Sequence, residues 1–240
     1  MIIVEFFARA LHQWKILLKD KAFTISFLIG WIVLGGGYVM SQIASAYHDL
    51  HFYPSVGDYV LEIIPVYNLS FLYIWGFTIL IVSFFVYGIL FEPEKAPFIL
   101  KTFGILLLVR AGFISLTFMG PPAEFFYIKE LNAEYIRKAG AKFFFNNDLF
   151  FSGHTAAPFL GYLLAKGSRW RWFFLLGSLV MAATVLIMHI HYSIDVFAAF
   201  FITYGVYAMS NRVFNGLNVR FKTRIELYGW DTIKQKIWKQ

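Results

Sequence analysis

The sequence predicts an all-α polytopic membrane protein with six transmembrane helices in a single domain, residues 1–240. Hydrophobic residues make up 59% of the chain and charged residues only 15%, whereas soluble proteins average about 25% charged residues. Six apolar runs alternate with connections, and a helix needs about 20 apolar residues to cross a bilayer. The 240 residues have room for these spans but not for a separate soluble domain of ordinary size.

The predicted elements follow the apolar pattern in chain order. Residues 1–21 mix charged and apolar side chains and predict an N-terminal interfacial helix, with no sign of a removed signal peptide. Residues 22–210 form the six-helix bundle, in which the fourth span is short and begins inside the membrane or at its rim. Residues 211–240 form a basic cytoplasmic tail. The predicted spans are 22–46, 68–91, 97–119, 153–166, 171–189 and 193–210.

Lysine and arginine determine the predicted orientation. Six spans place the basic N-terminal segment, the second and fourth connections and the basic tail at one membrane face. The first connection, around residues 47–67, contains no lysine or arginine. The third connection, residues 120–151, runs against this pattern because it contains four basic residues. The positive-inside rule nevertheless predicts cytoplasmic termini and odd-numbered connections on the periplasmic or lumenal face. In a bacterium, the protein would lie in the inner membrane.

Composition also excludes several classes of function. The chain has no cysteine, which excludes disulfides, thiolate catalysis and cysteine metal ligands. The net charge of +7 comes from basic residues that flank apolar spans, a pattern typical of topology signals and contacts with anionic headgroups. We therefore expect the bilayer and its lipids as partners and do not expect nucleic acid. The sequence gives no support for an oligomer.

Two polar clusters interrupt the apolar pattern and are the candidate functional residues. One is Ser152 to Thr155, and the other is His191 to Asp195. Ionisable residues in membrane segments are costly and are therefore functional candidates. His191 and Asp195 are four residues apart and share a helix face, so the carboxylate can orient one imidazole nitrogen and leave the other available. A helix-capping carboxylate beside an incidental histidine fits the same spacing.

The first cluster predicts a site for an anion. Ser152 is a plausible N-cap, and Gly153 allows close approach of the backbone, so the helix start can present N–H groups to a phosphate. His154 would stand beside that anion as a proton donor. A capped helix with a surface histidine fits the motif as well. The predicted topology brings His154, His189, His191 and Asp195 to the same membrane face.

Arg110 is the third candidate element because it lies in an otherwise apolar span. An unpaired guanidinium there costs a few kcal/mol or more, so it requires an anionic partner. That partner is either a carboxylate, such as Asp148 or Glu124, or a substrate phosphate. Asp148 itself is equally open to a structural or a functional interpretation.

Both clusters resemble motifs of a known family. The segments Asp148 to Thr155 (DLFFSGHT) and His189 to Val196 (HIHYSIDV) closely resemble the two signature motifs of the sphingomyelin synthase family. This family is a branch of the type 2 phosphatidic acid phosphatase superfamily. The segment from Arg110 to Pro122 resembles, more loosely, the family's stretch on the third span. The resemblance covers about residues 105–205 and the six-span layout.

The resemblance implies a lipid phosphatase/phosphotransferase-like bundle and assigns roles to three catalytic residues. His191 would be the nucleophile, Asp195 its orienting carboxylate, and His154 first an acid and then a base. The reaction implied is transfer of a phospho-headgroup from a glycerophospholipid to a lipid hydroxyl, such as that of ceramide or a diacylglycerol-like acceptor, without a cofactor. Residues expected to bind the substrate phosphate are Arg110, Ser152, Gly153, Asp148 and His189.

Two alternatives remain open from the sequence. The first is a lipid phosphatase or phospholipase C-type hydrolase that uses the same residues with water as acceptor. General phosphatases of the superfamily usually carry Ser-Arg where this chain has Thr184 and Val185, which favours the synthase branch. The second alternative is a metal site or transporter, because histidine and aspartate are zinc ligands. We rank it below the others, since it explains neither Arg110 nor the Ser-Gly cradle, and we predict no bound metal.

Overall fold

The computed structural model describes residues 2–126 and 149–228, and every regular element in these residues is helical. This confirms the predicted all-α class. Helix α1 is Ile2–Leu18, α2 is Lys21–Asp49 and α3 is the short helix Tyr59–Ile63. The membrane-length helices continue with α4, Leu72–Phe91, and α5, Ala96–Leu116. They are followed by α6, Gly153–Leu164, α7, Trp170–Ile187, and α8, Ser193–Tyr228.

Five helices in the described part of the chain are long and apolar enough to cross a membrane, namely α2, α4, α5 with the turn before it, α7 and α8. Helix α6 has 12 residues, which is a length of about 18 Å at 1.5 Å per residue. It is therefore shorter than the hydrocarbon core of about 30 Å. The six predicted spans correspond to five long helices and one short one, and the short helix stands at the fourth position, where a short span was expected.

Small residues bring α2 and α5 into close contact. A Cβ on Gly104 would lie 2.6 Å from the backbone of Val33 and Leu34, and a Cβ on Gly37 would overlap the carbonyl oxygen of Gly104. Such small-residue contacts let helices pack closely in a membrane, where burial from water does not drive association. This packing holds α5, which carries Arg110, in a fixed position beside the rest of the bundle.

The main apolar core lies between α4, α5, α6, α7 and α8. It is built around fully buried side chains such as Phe151, Leu160, Phe174 and Met181. Gly161 of α6 faces the ring of Phe174, where an added Cβ would come within 2.8 Å. The short helix α6 is thus enclosed by protein, and its N-terminus lies inside the bundle.

The basic tail begins as a continuation of α8 and is not a separate segment. The sixth predicted span was expected to end at 210, but the helix continues to Tyr228. This extension packs against α1 and α2, with Phe221 beside Leu17 and Phe23. Asp20 caps α2 and accepts hydrogen bonds from Arg220, at 3.0 Å, and Arg224, at 3.3 Å. The rest of the predicted tail, residues 229–240, lies outside the described residues.

Candidate active site

The two polar clusters lie together at one end of the bundle. The backbone N–H of Ser152, before α6, donates a hydrogen bond of 3.2 Å to the carbonyl oxygen of Asp195 in the first turn of α8. Residues separated by more than 40 positions in the sequence are therefore joined directly. The two motifs therefore open at the same end of the bundle, and the membrane face on which this end lies stays a prediction.

His191 and Asp195 form the pair that their spacing predicts. Nδ1 of His191 lies 3.2 Å from Oδ2 of Asp195, and both side chains are almost fully buried. The same carboxylate oxygen accepts a hydrogen bond of 3.2 Å from the backbone N–H of Tyr192. This second bond is half of a capping box, in which a carboxylate in the first turn satisfies the N–H of the capping residue. Because Nδ1 is engaged, Nε2 of His191 is the nitrogen left for chemistry.

Ser152 caps α6 as predicted. Its hydroxyl oxygen accepts hydrogen bonds from the backbone N–H of Thr155, at 3.4 Å, and from its hydroxyl, at 3.3 Å. Ser178 of α7 donates to the carbonyl oxygen of Thr155 at 2.9 Å. The N–H, the hydroxyl and the carbonyl oxygen of Ser152 thus all take part in hydrogen bonds that position the start of α6. Direct contact between the Ser152 hydroxyl and a phosphate stays a prediction.

His154 lies between two aromatic rings of α4. The ring centroids of Tyr73 and Phe77 are each 4.0 Å from that of His154. Nε2 of His154 is buried and has no hydrogen-bond partner among the described residues, and the imidazole interacts electrostatically with His191 and Arg110. A buried nitrogen without a partner is costly and calls for an explanation such as a catalytic role. The role of His154 as a proton donor stays a prediction.

Arg110 contacts the start of α6. It is 7% exposed, and its Nε donates a hydrogen bond of 3.0 Å to the carbonyl oxygen of Phe151. A Cβ on Gly153 would lie 3.3 Å from that Nε and 3.5 Å from Cζ. The missing side chain at Gly153 is therefore what allows the guanidinium to lie beside the helix N-terminus. Together these groups place a positive charge next to the electropositive end of α6.

The other predicted phosphate-binding residues have different positions. His189 is 3% exposed, has a left-handed φ of 49°, and places Nε2 2.9 Å from the carbonyl oxygen of Ile64. It lines a cavity of about 370 Å³ that Glu124 also lines. Asp148 lies outside the described residues. The phosphate-binding roles of His189 and Asp148 stay predictions. The contact that the structure shows for His189 is with Ile64, in the connection between α2 and α4.

The connection between α2 and α4 covers this end of the bundle through two contacts with the start of α8. The Tyr192 hydroxyl donates to the carbonyl oxygen of Gly120 and accepts from the N–H of Val56, both at 2.9 Å. Asp58 accepts a hydrogen bond of 2.6 Å from the N–H of Ser193. Gly120 is required here because a Cβ would overlap the carbonyl oxygen of Tyr53. We call the connection between α2 and α4 the outer connection, after its predicted position. It is held by these hydrogen bonds to Tyr192 and Ser193, beside the His191 and Asp195 pair.

Sequence reasoning missed Tyr73 and Phe77 beside His154, and it gave no role to Asp58. In a chain that is 21% aromatic, two aromatic residues four positions apart on a span give no signal. The contact between Asp58 and Ser193 joins positions 135 residues apart. No local pattern indicates such a contact.

Comparison with protein families matches residues 147–212 to the family model described as PAP2 superfamily C-terminal. The matched region includes α6, α7 and the membrane part of α8, and with them His154, His191 and Asp195. It supports the type 2 phosphatidic acid phosphatase superfamily, whose members are generally phosphatases and phosphotransferases. The match does not separate the sphingomyelin synthase branch from other branches. No curated protein matches the chain.

Proposed function

We propose that this protein is a membrane-embedded lipid phosphotransferase that moves a phospho-headgroup from a glycerophospholipid to a lipid hydroxyl. One observation carries the proposal: the buried His191 and Asp195 pair is joined, through the Ser152 N–H, to a helix N-terminus that carries His154 and contacts Arg110. A nucleophile, an acid and a group that stabilises an anion are the parts that covalent phosphoryl transfer requires.

In the first step, Nε2 of His191 attacks the phosphorus atom of the donor. The bond from phosphorus to the diacylglycerol oxygen breaks, and the departing oxygen takes a proton from His154. Asp195 holds the imidazole through Nδ1 and stabilises the positive charge that develops on the ring. Arg110 and the first N–H groups of α6 stabilise the negative charge on the phosphoryl oxygens.

In the second step, an acceptor hydroxyl attacks the phosphohistidine. His154, now neutral, takes the hydroxyl proton, and the bond between Nε2 and phosphorus breaks. His191 is then regenerated and His154 is again protonated. His154 thus acts first as an acid and then as a base, while His191 carries the phosphoryl group, and the cycle needs neither a metal nor an organic cofactor.

The position of Val185 supports transfer over hydrolysis. The general phosphatases carry arginine at the corresponding position, but Val185 is fully buried in an apolar cluster with Tyr73, Met188 and Val196. The guanidinium that the general phosphatases carry at this position is therefore replaced here by an apolar side chain. Hydrolysis by the same residues, with water as acceptor, is the second candidate function, favoured by the phosphatases of the matched superfamily.

The test is a product assay with purified protein in lipid vesicles. Phosphatidylcholine, phosphatidylethanolamine and phosphatidylglycerol with labelled headgroups are supplied in turn, with and without ceramide or diacylglycerol. Transfer predicts a labelled lipid product only when the acceptor is present, whereas hydrolysis predicts a free phospho-headgroup or phosphate in either case. Acid quenching of the reaction should destroy a labelled phosphohistidine that alkaline quenching preserves.

The matched variants for this assay are His191→Ala and His51→Ala. His51 is an exposed histidine of the outer connection, near Tyr47 and Tyr53, so its loss should leave turnover unchanged. We expect His191→Ala to lose both the labelled intermediate and turnover while its thermal midpoint stays close to that of the wild type. A folded His191→Ala protein with wild-type turnover would refute the mechanism.

A further inference from the structure

Asp58 connects the outer connection to the helix that carries the catalytic pair. Its Oδ2 accepts the Ser193 N–H at 2.6 Å, and its Oδ1 accepts the N–H groups of Val60, at 2.9 Å, and Leu61, at 3.3 Å. One carboxylate therefore caps both the short helix α3 and the start of α8. Hydrogen bonds from backbone N–H to a charged acceptor are among the stronger hydrogen bonds in proteins.

The N-terminus of α8 has two carboxylates for two successive N–H groups. Asp195 accepts the N–H of Tyr192, and Asp58 accepts the N–H of Ser193. The first N–H groups of a helix have no partner within the helix and must find one elsewhere. If Asp58 were absent, the remaining carboxylate in the first turn of α8 would be Asp195, whose Oδ1 has no hydrogen-bond partner among the described residues. Rotation of Asp195 toward Ser193 would weaken its hydrogen bond to His191.

The charge of Asp58 is maintained by these contacts. Burial acts to raise the pKa of Asp58, but hydrogen bonds from Ser193, Leu61 and Val60 outweigh it and lower the pKa below its ordinary value. The carboxylate is therefore ionised at neutral pH and complements the positive end of α8. Tyr192, the residue between His191 and Ser193, is held to the same connection through Val56.

We propose that Asp58 is a positioning residue of the active site, which holds the first turn of α8 so that Asp195 remains on His191. This inference rests on the proposed phosphotransfer function. It assigns a functional role to the acidic outer connection, which lies outside the region matched to the family model. Asp58 acts through the Ser193 N–H and does not contact the reacting atoms.

Two variants test the contact from both sides. Asp58→Asn keeps the size of the side chain but removes the charge and one acceptor oxygen. Ser193→Pro removes the N–H donor at the first position of α8, where proline is well tolerated because its fixed φ suits a helix start. Ser193→Ala is the reference for this second variant, since it also lacks the hydroxyl but keeps the N–H. Glu62→Gln is the control for charge, because Glu62 is an exposed carboxylate of the same short helix.

We expect Asp58→Asn to lower kcat about tenfold with an unchanged KM, and Ser193→Pro to lower it similarly relative to Ser193→Ala. Glu62→Gln should keep the wild-type kcat. The double variant Asp58→Asn with Ser193→Pro should be no slower than the slower single variant, because both changes remove the same contact. Rates are normalised to folded protein, measured by thermal unfolding, so that a loss of stability alone leaves kcat unchanged.

Three results would overturn the inference: a wild-type kcat in folded Asp58→Asn, an increase in KM alone, or effects that multiply in the double variant. An increase in KM alone would mean that Asp58 contacts the substrate. Failure of the proposed function has a different signature, since it would leave His191→Ala as active as the wild type. If Asp58→Asn does not fold, the kcat of Ser193→Pro compared with that of Ser193→Ala tests the positioning role without it.

Discussion

At the scale of single residues, the sequence predicts the contact between His191 and Asp195 but not the surroundings of the other candidate residues. The spacing of His191 and Asp195 predicts their hydrogen bond because residues four apart share a helix face. The neighbours of His154 come from α4, about 80 positions earlier. The sequence predicted phosphate binding for Ser152, which stays a prediction, but it did not indicate the contact of Ser152 with Asp195. Long-range contacts of this kind have no local sequence signal.

Arg110 can be tested at this scale. Its Nε donates a hydrogen bond to the carbonyl oxygen of Phe151, and the proposed function has its guanidinium stabilise the phosphoryl group. Arg110→Lys keeps the charge but loses the planar fork, and we expect kcat to fall on the order of 100-fold, as for the loss of one donor to a developing anion. Arg171→Lys is the control, because Arg171 donates to Tyr162 at the other end of α6. It should lower only the thermal midpoint.

The competing structural role of Arg110 makes a different prediction. If Arg110 only neutralises Asp148 or Glu124, Arg110→Leu strands that carboxylate and lowers the thermal midpoint. A second neutralising change, Asp148→Asn or Glu124→Gln, would then restore both stability and turnover. Full turnover in either double variant would rule out a phosphate-binding role for Arg110.

At the scale of elements, the sequence predicts the existence of every helix except the short α3, but not where each helix ends. The apolar run after Ser193 was expected to end at 210, where charged residues begin, yet the helix continues because Phe221 and Arg220 contact α1, α2 and Asp20. Residues Leu72–Gly76 and Tyr87–Phe91 of α4 are wound as π-helix, which no sequence pattern indicated. Tertiary contacts therefore decide where these elements stop and how they wind.

The start of α6 gives a test at this scale. Gly153→Ala places a Cβ about 3.3 Å from the Arg110 Nε, so the guanidinium must shift by a few tenths of an ångström. We expect turnover to fall several-fold or more, since small displacements in an active site are costly. Gly112→Ala in α5 is the matched control, because its added Cβ meets nothing within 4 Å. It should keep full turnover and gain up to about 1 kcal/mol of stability from helix propensity.

The junction of α1, α2 and α8 gives a second test. Burial acts to raise the pKa of Asp20, but hydrogen bonds from Arg220 and Ala22 and the charges of Arg220 and Arg224 outweigh it and lower the pKa. A lowered pKa stabilises the folded state above the unfolded pKa of about 3.9, and this stabilisation is lost as the pH falls through the folded value. Asp20→Asn should therefore lower the thermal midpoint at pH 7, with a difference that shrinks below about pH 4.

The Asp20 effect should come from the lost charge, since asparagine caps a helix about as well as aspartate. It should be modest, because the Arg220 side chain of the ion pair is 56% exposed and screened by solvent. Glu226→Gln is the control, since Glu226 pairs with Lys222 at 3.8 Å on the exposed face of α8. An Asp20→Asn midpoint equal to that of the wild type at pH 7 would contradict the assignment.

At the scale of the whole molecule, the contacts of the described residues place the connections at two opposite ends of the helix bundle. One end holds the contacts of Tyr192 with Gly120 and of Asp58 with Ser193. The other holds Asp20 with Arg220, and the rings of Phe91 and Trp170, 5.3 Å apart. Basic residues predominate at this second end. The alternation of apolar runs and charges predicted this arrangement, because it depends on the order of segments and not on individual side-chain contacts.

The positive-inside rule turns this arrangement into a prediction about sidedness. The natural chain has no cysteine, so a single introduced cysteine is a unique label site. Ser55 lies exposed near the end of the bundle that holds the candidate active site, and Thr223 lies exposed on the extension of α8.

In intact cells or sealed vesicles of native orientation, a membrane-impermeant maleimide should label Ser55→Cys from the outside. Thr223→Cys should react only after the membrane is opened, and a mixed population of orientations would give partial labelling of both. Labelling of Thr223→Cys alone from the outside would place the active site on the cytoplasmic face, because Ser152, His191 and Asp58 lie at the end of the bundle opposite Arg220. The lipid substrates would then come from the cytoplasmic leaflet, and the same reaction would use the headgroups present in that leaflet.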